Sequence, residues 1–319
     1  MKRLTSLLAG ALLATASGLA QAEIHFLIPG GPGGGWDTTA RGVGEALVKA
    51  ELVDNASFEN MSGGGGGRAI AHLIEAKNKP GDILMVNSTP IVLRALNGRI
   101  PFSYRDLTPV AGMIADFGAF VVRNDSPLQS WQDVLVRFKA NPHKFKVGGG
   151  SARGSMDHLV AAQAVSAAGL NGAKMRYIPY DGGGQAKAGL LSGEADILST
   201  GFSEALEIHN SGQGRILAIT ADQPVSDYPD IPTIMSLGYD MSFVNWRGFF
   251  AAPGISAQKV DGYIATLEKL LTTPQWEQVR SRNGWRNLFL TKEAFVASLE
   301  AQEQQLKTIM LQLGFIREG

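Results

Sequence analysis

Cysteine is absent from the 319 residues, which excludes a disulfide framework, a thiolate metal site and a cysteine nucleophile. Stability must then come from burying a large apolar core. A charge excess of either sign is missing too, since Lys+Arg and Asp+Glu both number 29. Without a basic field, the chain is not expected to bind nucleic acid. The five histidines, His25, His72, His143, His158 and His209, show no HExxH or paired ligand spacing, so no metal or other cofactor is expected. Nucleotide and hydrolase signatures fail as well. Gly31-Pro32-Gly33-Gly34-Gly35-Trp36 lacks the last glycine of GxGxxG and places proline inside the turn, and no GxxxxGK followed by Ser or Thr occurs. The nucleophile elbow GxSxG is absent: Ser151 is followed by Ala152-Arg153 and Ser203 by Glu204-Ala205. Beyond the N-terminus, no run is long and apolar enough to cross a bilayer core of about 30 Å.

What is present begins with a leader. Lys2 and Arg3 precede an apolar run over residues 4–19, and Ala20-Gln21-Ala22 has the small-x-small form of a signal-peptidase site. Residues 1–22 are therefore expected to be a signal peptide, with Glu23 the first residue of an exported, periplasmic chain. Glycine is abundant, 39 residues, and it clusters at 30–35, 63–67, 148–150 and 182–184. Each cluster lies between an apolar run and a helical pattern. Strands are expected at 24–28, 57–60 and 83–86, each followed by a turn and a helix, with Asp37 or Thr38 as N-cap of the first. A second set has strands at 119–122, 146–147, 175–178, 195–199 and 216–220, with helices opening near Ser155 or Asp157 and at Gln185. After Trp246-Arg247-Gly248 the chain turns helical, and Phe295, Leu299, Leu306 and Ile309 form a core-facing stripe. Repeated strand–loop–helix units indicate an α/β fold with parallel sheet. Strands near 117–122 and 244–250 would join two lobes around a cleft: residues 23–122 with 245–319, and residues 123–244. No internal sequence repeat is evident.

In such sheets ligands collect outside the carboxyl ends of the strands. A helix N-terminus there offers unpaired N–H groups and the positive end of its dipole, and glycine lets an anion approach that backbone. Several such ends on one cleft suit a carboxylate ligand. Gly63 to Gly67 has a simpler reading as a flexible surface turn. Asp37 is either only a cap or a cap that also orders ligand-bridging waters. Arg153, beside Ser151 and Ser155, is either a bidentate carboxylate clamp or a solvated surface arginine. Arg247 lies at the lobe crossover, as a ligand contact or a hinge ion-pair partner, and His158 is read as structural.

Pro29-Gly30-Gly31-Pro32-Gly33-Gly34-Gly35-Trp36-Asp37-Thr38-Thr39-Ala40-Arg41 resembles the opening signature of the solute receptors of tripartite tricarboxylate transporters, the Bug family. The resemblance continues through Asn60-Met61-Ser62, Asn87-Ser88-Thr89, Gly149-Gly150-Ser151-Ala152-Arg153-Gly154-Ser155-Met156-Asp157-His158-Leu159, Pro179-Tyr180-Asp181-Gly182-Gly183-Gly184 and Trp246-Arg247-Gly248-Phe249-Phe250, and so spans nearly the whole exported chain. It implies a type II periplasmic-binding-protein fold closing on a small carboxylate, without catalysis, as a monomer that delivers its ligand to the large and small membrane subunits of the permease. It assigns ligand contacts to Gly33, Gly34, Gly35, Trp36, Asp37, Thr38, Asn87, Ser88 and Thr89 of the first lobe. From the second lobe it adds Ser151, Arg153, Gly154, Ser155, Asp181 and Gly182. The run Gly33-Gly34-Gly35-Trp36-Asp37 resembles citrate and tricarballylate receptors, which points to a tricarboxylate such as citrate. A receptor for a dicarboxylate, amino acid or aromatic acid, serving a transporter or a sensor kinase, stays open beside it. So does an exported α/β hydrolase, for which no nucleophile–base pair is found.

Overall fold

The computed structural model describes residues 23–76 and 83–317. The leader read over residues 1–22 lies outside them. The first unit is β1 (Glu23–Ile28), α1 (Gly35–Lys49), β2 (Asn55–Asn60), α2 (Gly67–Glu75), β3 (Ile83–Ser88) and α3 (Pro90–Leu96). β1 pairs in parallel with both β2 and β3, giving the order β2-β1-β3. After β4 (Thr108–Arg123) and α4 (Trp131–Ala140), the same plan returns in β5 (Lys146–Gly149), α5 (Met156–Ala167), β6 (Arg176–Pro179), α6 (Gly183–Leu191), β7 (Ile197–Gly201) and α7 (Phe202–Asn210). Here β5 lies between β6 and β7, again in parallel. The chain closes with β8 (Gly214–Ile219), β9 (Val244–Ala251), α8 (Ala257–Leu270), α9 (Pro274–Arg282), β10 (Arg286–Thr291) and α10 (Lys292–Gln312).

β4 serves both lobes. Its first part pairs antiparallel with β9 and β10, from Thr108 to Phe117. From Gly118 to Arg123 it pairs antiparallel with β7 and β8. The change of partner falls a few residues before the division read at 122/123, within the same strand. β9 closes the first lobe by pairing with β3 as well, so β4 and β9 carry the backbone that links the lobes.

Burial explains why these segments are ordered. Phe26, Phe249, Trp276 and Trp285 are fully enclosed on one side of the first sheet, and Phe117 and Phe202 in the second lobe. Each side chain of this kind contributes about 1.5–3 kcal/mol on burial. The α10 stripe buries Phe295, Leu299 and Leu306 against β4 and α3. Among the described residues no helix is long and apolar enough to cross a membrane.

Some expectations change. The sheet is mixed rather than parallel throughout, because β9, β10 and β8 run antiparallel to β4. α1 starts at Gly35 with Gly34 as its N-cap, so neither Asp37 nor Thr38 caps it. Asp37 sits in the first turn because its carboxylate is engaged by Gly33, Arg41 and Asn60. Asn87 and Ser88 belong to β3 rather than to the loop after it. The first half of β4, together with α4, α7, α9 and β10, was not read from the sequence.

Candidate functional site

A cavity of about 370 Å³ lies between the lobes at the strand ends, within the roughly 300–1,000 Å³ usual for small-molecule sites. Five helices start around it: α1, α2, α3, α5 and α6 each contribute lining residues at or beside the N-cap. In α1, α2, α3 and α6 no side chain caps the first amides, while in α5 Ser151 Oγ takes the Asp157 N–H. These uncapped ends provide N–H donors and positive dipole ends in one space. The lobes touch at its mouth. A Cβ built on Gly183 would lie 3.4 Å from the Gly33 carbonyl, and Asn97 Nδ2 donates to the Gly154 carbonyl at 3.4 Å.

In the first lobe the loop before α1 is held from inside. Asp37 Oδ2 accepts the Gly33 N–H at 3.0 Å, while Oδ1 accepts from Arg41 Nε at 2.8 Å and Asn60 Nδ2 at 3.0 Å. Asn60 also donates to the Gly30 carbonyl. Gly33 has φ +75°, a left-handed conformation that glycine adopts without strain. The Trp36 indole N–H donates to Ser88 Oγ at 2.8 Å, which ties the start of α1 to the end of β3. Gly34, Gly35, Trp36 and Ser88 line the cavity. Gly33, Asp37, Thr38, Asn87 and Thr89 do not. Thr38 donates its N–H to the Gly34 carbonyl, Asn87 accepts the Ser88 N–H, and Thr89 Oγ1 is buried without a partner among the described residues.

The corresponding loop of the second lobe is built differently. Ser151 Oγ accepts the Asp157 N–H at 3.0 Å, and Tyr177 Oη donates to the Ser151 carbonyl at 2.7 Å. The Gly154 N–H donates to His158 Nδ1 at 3.1 Å. The imidazole is stacked between Tyr177 and Phe315, each ring 4.5 Å away. Burial and the nearby Arg153 push it down to about 4, so at neutral pH it is an uncharged acceptor. Ser151, Ser155, Asp181 and Gly182 line the cavity, while Arg153 and Gly154 do not. Arg153 is exposed and donates to the Tyr177 carbonyl, so its guanidinium braces the loop.

The charged lining was largely missed by sequence reasoning. It consists of Arg94 and Arg247 against Asp157, Asp181 and Glu204. Arg247 is buried and ion-paired with the fully buried Asp116, and it donates to Thr39 Oγ1. Asp116 also accepts from the Phe117 and Ser203 amides and the Ser203 hydroxyl. Arg247 therefore joins β9 to β4, the role of hinge ion-pair partner weighed for it from sequence. Arg94 has no ion-paired carboxylate among the described residues. It donates to the Gly64 carbonyl at 3.3 Å and its Nε is unpartnered. Burial lowers its pKa. Burial and then the neighbouring Glu204 push Asp157 up to about 7, against Ser151 and Arg247. Glu204 is raised as well, by burial and by Asp116, with Arg247 opposing. Arg94 could have been suspected as the lone charge in the apolar run Pro90-Ile91-Val92-Leu93-Arg94-Ala95-Leu96, whereas Asp157 and Glu204 carry no comparable local signal.

A two-lobed α/β protein with a cavity between its lobes is the class that this arrangement defines, and it is the type II periplasmic-binding-protein fold. The sequence matches the tripartite tricarboxylate transporter family receptor over residues 39–314, and the chain belongs to that family. A UPF0065 protein of Bordetella pertussis is 27% identical over 282 residues, 88% of this chain and 85% of that protein. Among solved structures, periplasmic binding protein BugD superposes with a TM-score of 0.82 at 22% identity, covering 93% of this chain and 99% of the other. MatC from Rhodopseudomonas palustris with bound malate gives 0.73 at 19% identity, covering 91% and 97%. At these identities the two structures establish the fold.

Proposed function

We propose that this chain is an exported periplasmic receptor that closes on a small carboxylate and delivers it to the membrane subunits of a tripartite tricarboxylate-type permease. The observation that carries the reading is the set of helix N-termini around one cavity, those of α1, α2, α3 and α6 without a side-chain cap, with Arg94, whose Nε is unpartnered, among them. Each dipole end contributes about 0.3–1 kcal/mol when exposed and up to ~2 kcal/mol when partly buried. Several, with a charge-assisted bond from Arg94, approach the roughly −8 kcal/mol of a micromolar complex. The family membership supports a transporter partner, and the leader over residues 1–22 supports export. Closure would bend the chain at β4 and β9, with the lobes divided as read from the sequence. We read the site as binding rather than catalytic, since His158 Nδ1 is committed to the Gly154 amide and Ser151 Oγ to the Asp157 amide.

The glycine loop favours a tricarboxylate such as citrate, by resemblance of residues 33–37. MatC holds malate, which keeps dicarboxylates in view. A thermal-shift series on the mature protein, freed of ligand by unfolding and refolding, tests the class. A ligand at about 1,000 times its Kd adds roughly 4 kcal/mol, or several degrees for lobes of this size. A rise with citrate, tricarballylate, malate or another small acid supports the receptor reading. Silence towards every carboxylate would remove it.

A further inference from the structure

The lobes also meet beside the cavity, at a stack of three rings none of which lines it. His158 on α5 is 5% exposed, and its imidazole lies between Tyr177 of β6 and Phe315. His158 and Tyr177 belong to the second lobe. Phe315 comes from the first. It follows α10, which packs on β10 and α3 as well as on β4, and its N–H is tied back to the Met310 carbonyl at 2.8 Å. The interplanar angles are 25° and 21°, so both faces of the imidazole are covered by nearly parallel rings. Enclosure keeps the imidazole uncharged at neutral pH, so the stack buries no charge and Nδ1 stays an acceptor for the Gly154 N–H. The carbonyl of the same Gly154 accepts from Asn97 Nδ2, on the residue that ends α3 in the first lobe. Two first-lobe groups, Phe315 and Asn97, thus converge on one second-lobe loop. Leu313 and Ile316 lie beside Phe315 in the sequence and pack on the same apolar cluster, but of this segment only Phe315 stacks on the imidazole.

We propose that Phe315 is an interlobe latch: by covering His158 where the lobes meet, it positions the loop at 151–155, whose Ser151 and Ser155 line the cavity. This rests on the receptor reading and adds a positioning residue outside the cavity to the groups that set affinity. The physical ground is differential contact, since a change of shape is favoured only by interactions that one state makes and the other lacks. The stack joins surfaces from two bodies linked through β4 and β9. Opening at those strands parts Phe315 from His158 and uncovers one face of the imidazole to water. The ring then tilts more freely, and the Gly154 N–H loses a fixed acceptor. The second-lobe donors are therefore held in place most firmly in the closed arrangement, and ligand and latch favour the same state. By linkage each strengthens the other. The segment after α10, far along the chain from every lining residue, becomes part of the binding device.

Hydrogen exchange on the refolded mature protein, together with calorimetric titration by citrate, L-malate and glutarate, tests the latch. In Phe315→Ala the amides at 151–155 should exchange faster, and each acid that binds wild type should bind about three- to tenfold more weakly, the strength of one aromatic pair. Phe315→Tyr keeps a ring on the imidazole and should restore wild-type affinity. Ile316→Ala trims the same cluster without touching the imidazole, so it should lower the melting temperature and produce neither effect. With His158→Ala already in place, Phe315→Ala should change affinity no further. Unchanged exchange at 151–155, wild-type affinity in Phe315→Ala, or an equal loss of affinity in Ile316→Ala overturns the latch and leaves the receptor reading standing. Phe315→Leu, apolar but without a ring, carries the same expectation and stands in should the alanine variant not fold. The exchange arm needs no ligand, so it decides the latch even if none of the acids binds, an outcome that would count against the receptor reading instead.

Discussion

The two lobes repeat one topology and furnish it with opposite chemistry. β2-β1-β3 in the first lobe has its counterpart in β6-β5-β7 in the second, with α1, α2 and α3 answering to α5, α6 and α7. Both lobes therefore open uncapped helix starts onto the same cavity, a property of the backbone plan. The third helix of each unit then differs in sign: α3 brings Arg94 and α7 brings Glu204. The glycine loops differ too. The first is held by one carboxylate, Asp37, that collects three donors. The second is held by Tyr177 and His158, with the Arg153 guanidinium bracing it on the Tyr177 carbonyl. Repeated topology thus accounts for the existence of the cavity, and the side chains that differ between repeats account for its polarity.

The largest effect should come where the lobes share a residue. Arg247→Ala leaves Asp116 buried without its cation, and breaking a buried pair costs about 3–5 kcal/mol. Urea denaturation should show that loss, and Asp116→Ala combined with it should cost less than the two singly added. A loss below about 1 kcal/mol would mean that the pair does not link the strands. Next comes the acidic wall. The folded pKa of Asp157 is raised from 3.8 to about 7. Below about pH 4 both states are protonated and no penalty applies. As pH rises towards 7 the unfolded chain ionises first, so stability falls, and above 7 the loss is complete. Asp157→Asn should therefore gain roughly 2–4 kcal/mol over wild type between pH 4 and pH 8, and a difference in melting temperature that ignores pH would count against it. Behind the glycine loop of the first lobe, Asp37→Ala strips three donors of their acceptor and should cost about 1.5–3 kcal/mol. It should weaken carboxylate binding as well, and wild-type affinity in that variant would confine Asp37 to stability.

How far these walls were legible in the sequence follows from the range of the forces involved. Helix starts are written locally: a glycine run between an apolar strand and a helical pattern marks the strand-to-helix passages at 30–35, 148–150 and 182–184, although Gly148 and Gly149 close β5, Gly35 opens α1 and Gly183 opens α6. Of the residues that the family resemblance assigns to the site, Gly34, Gly35, Trp36, Ser88, Ser151, Ser155, Asp181 and Gly182 line the cavity. Asp37, read as a cap with or without a part in ordering ligand-bridging waters, is not the cap; its carboxylate holds the loop instead, because Asn60 and Arg41 reach it from elsewhere. Arg153 reads from its neighbours as a clamp or a solvated surface arginine; it is exposed, and the Tyr177 carbonyl, 24 positions away, accepts from it. Glu204, Asp157 and Asn245 converge only through the pairing of β4 with β7 and β9, and no window of sequence contains that pairing. β4 itself is half hidden: nearly its whole length is buried on both faces and shows no alternation, and only its second part carries a short apolar run that reads as a strand.

The smallest expected effect is also the finest comparison between the lobes. Gly35 opens α1 and Gly183 opens α6, and in both places an added methyl would meet a charged side-chain end at 2.0 Å: Arg247 Nη1 at Gly35, Glu204 Oε1 at Gly183. The two obstacles differ in freedom. Arg247 is 2% exposed and fixed by Asp116 and Thr39, so Gly35→Ala must displace a tethered cation and should cost about 1–3 kcal/mol. Glu204 is held more loosely, its Oε2 accepting the Gly201 amide at 3.3 Å, and it borders open cavity. Its carboxylate can swing away from a methyl at Gly183, and alanine recovers up to ~1 kcal/mol of helix propensity. Gly183→Ala should therefore leave the melting temperature almost in place while disturbing ligand binding through Glu204. Equal destabilisation by the two substitutions would show that Glu204 is as rigidly held as Arg247, and the contrast between a fixed hinge and an adjustable acidic wall would be lost.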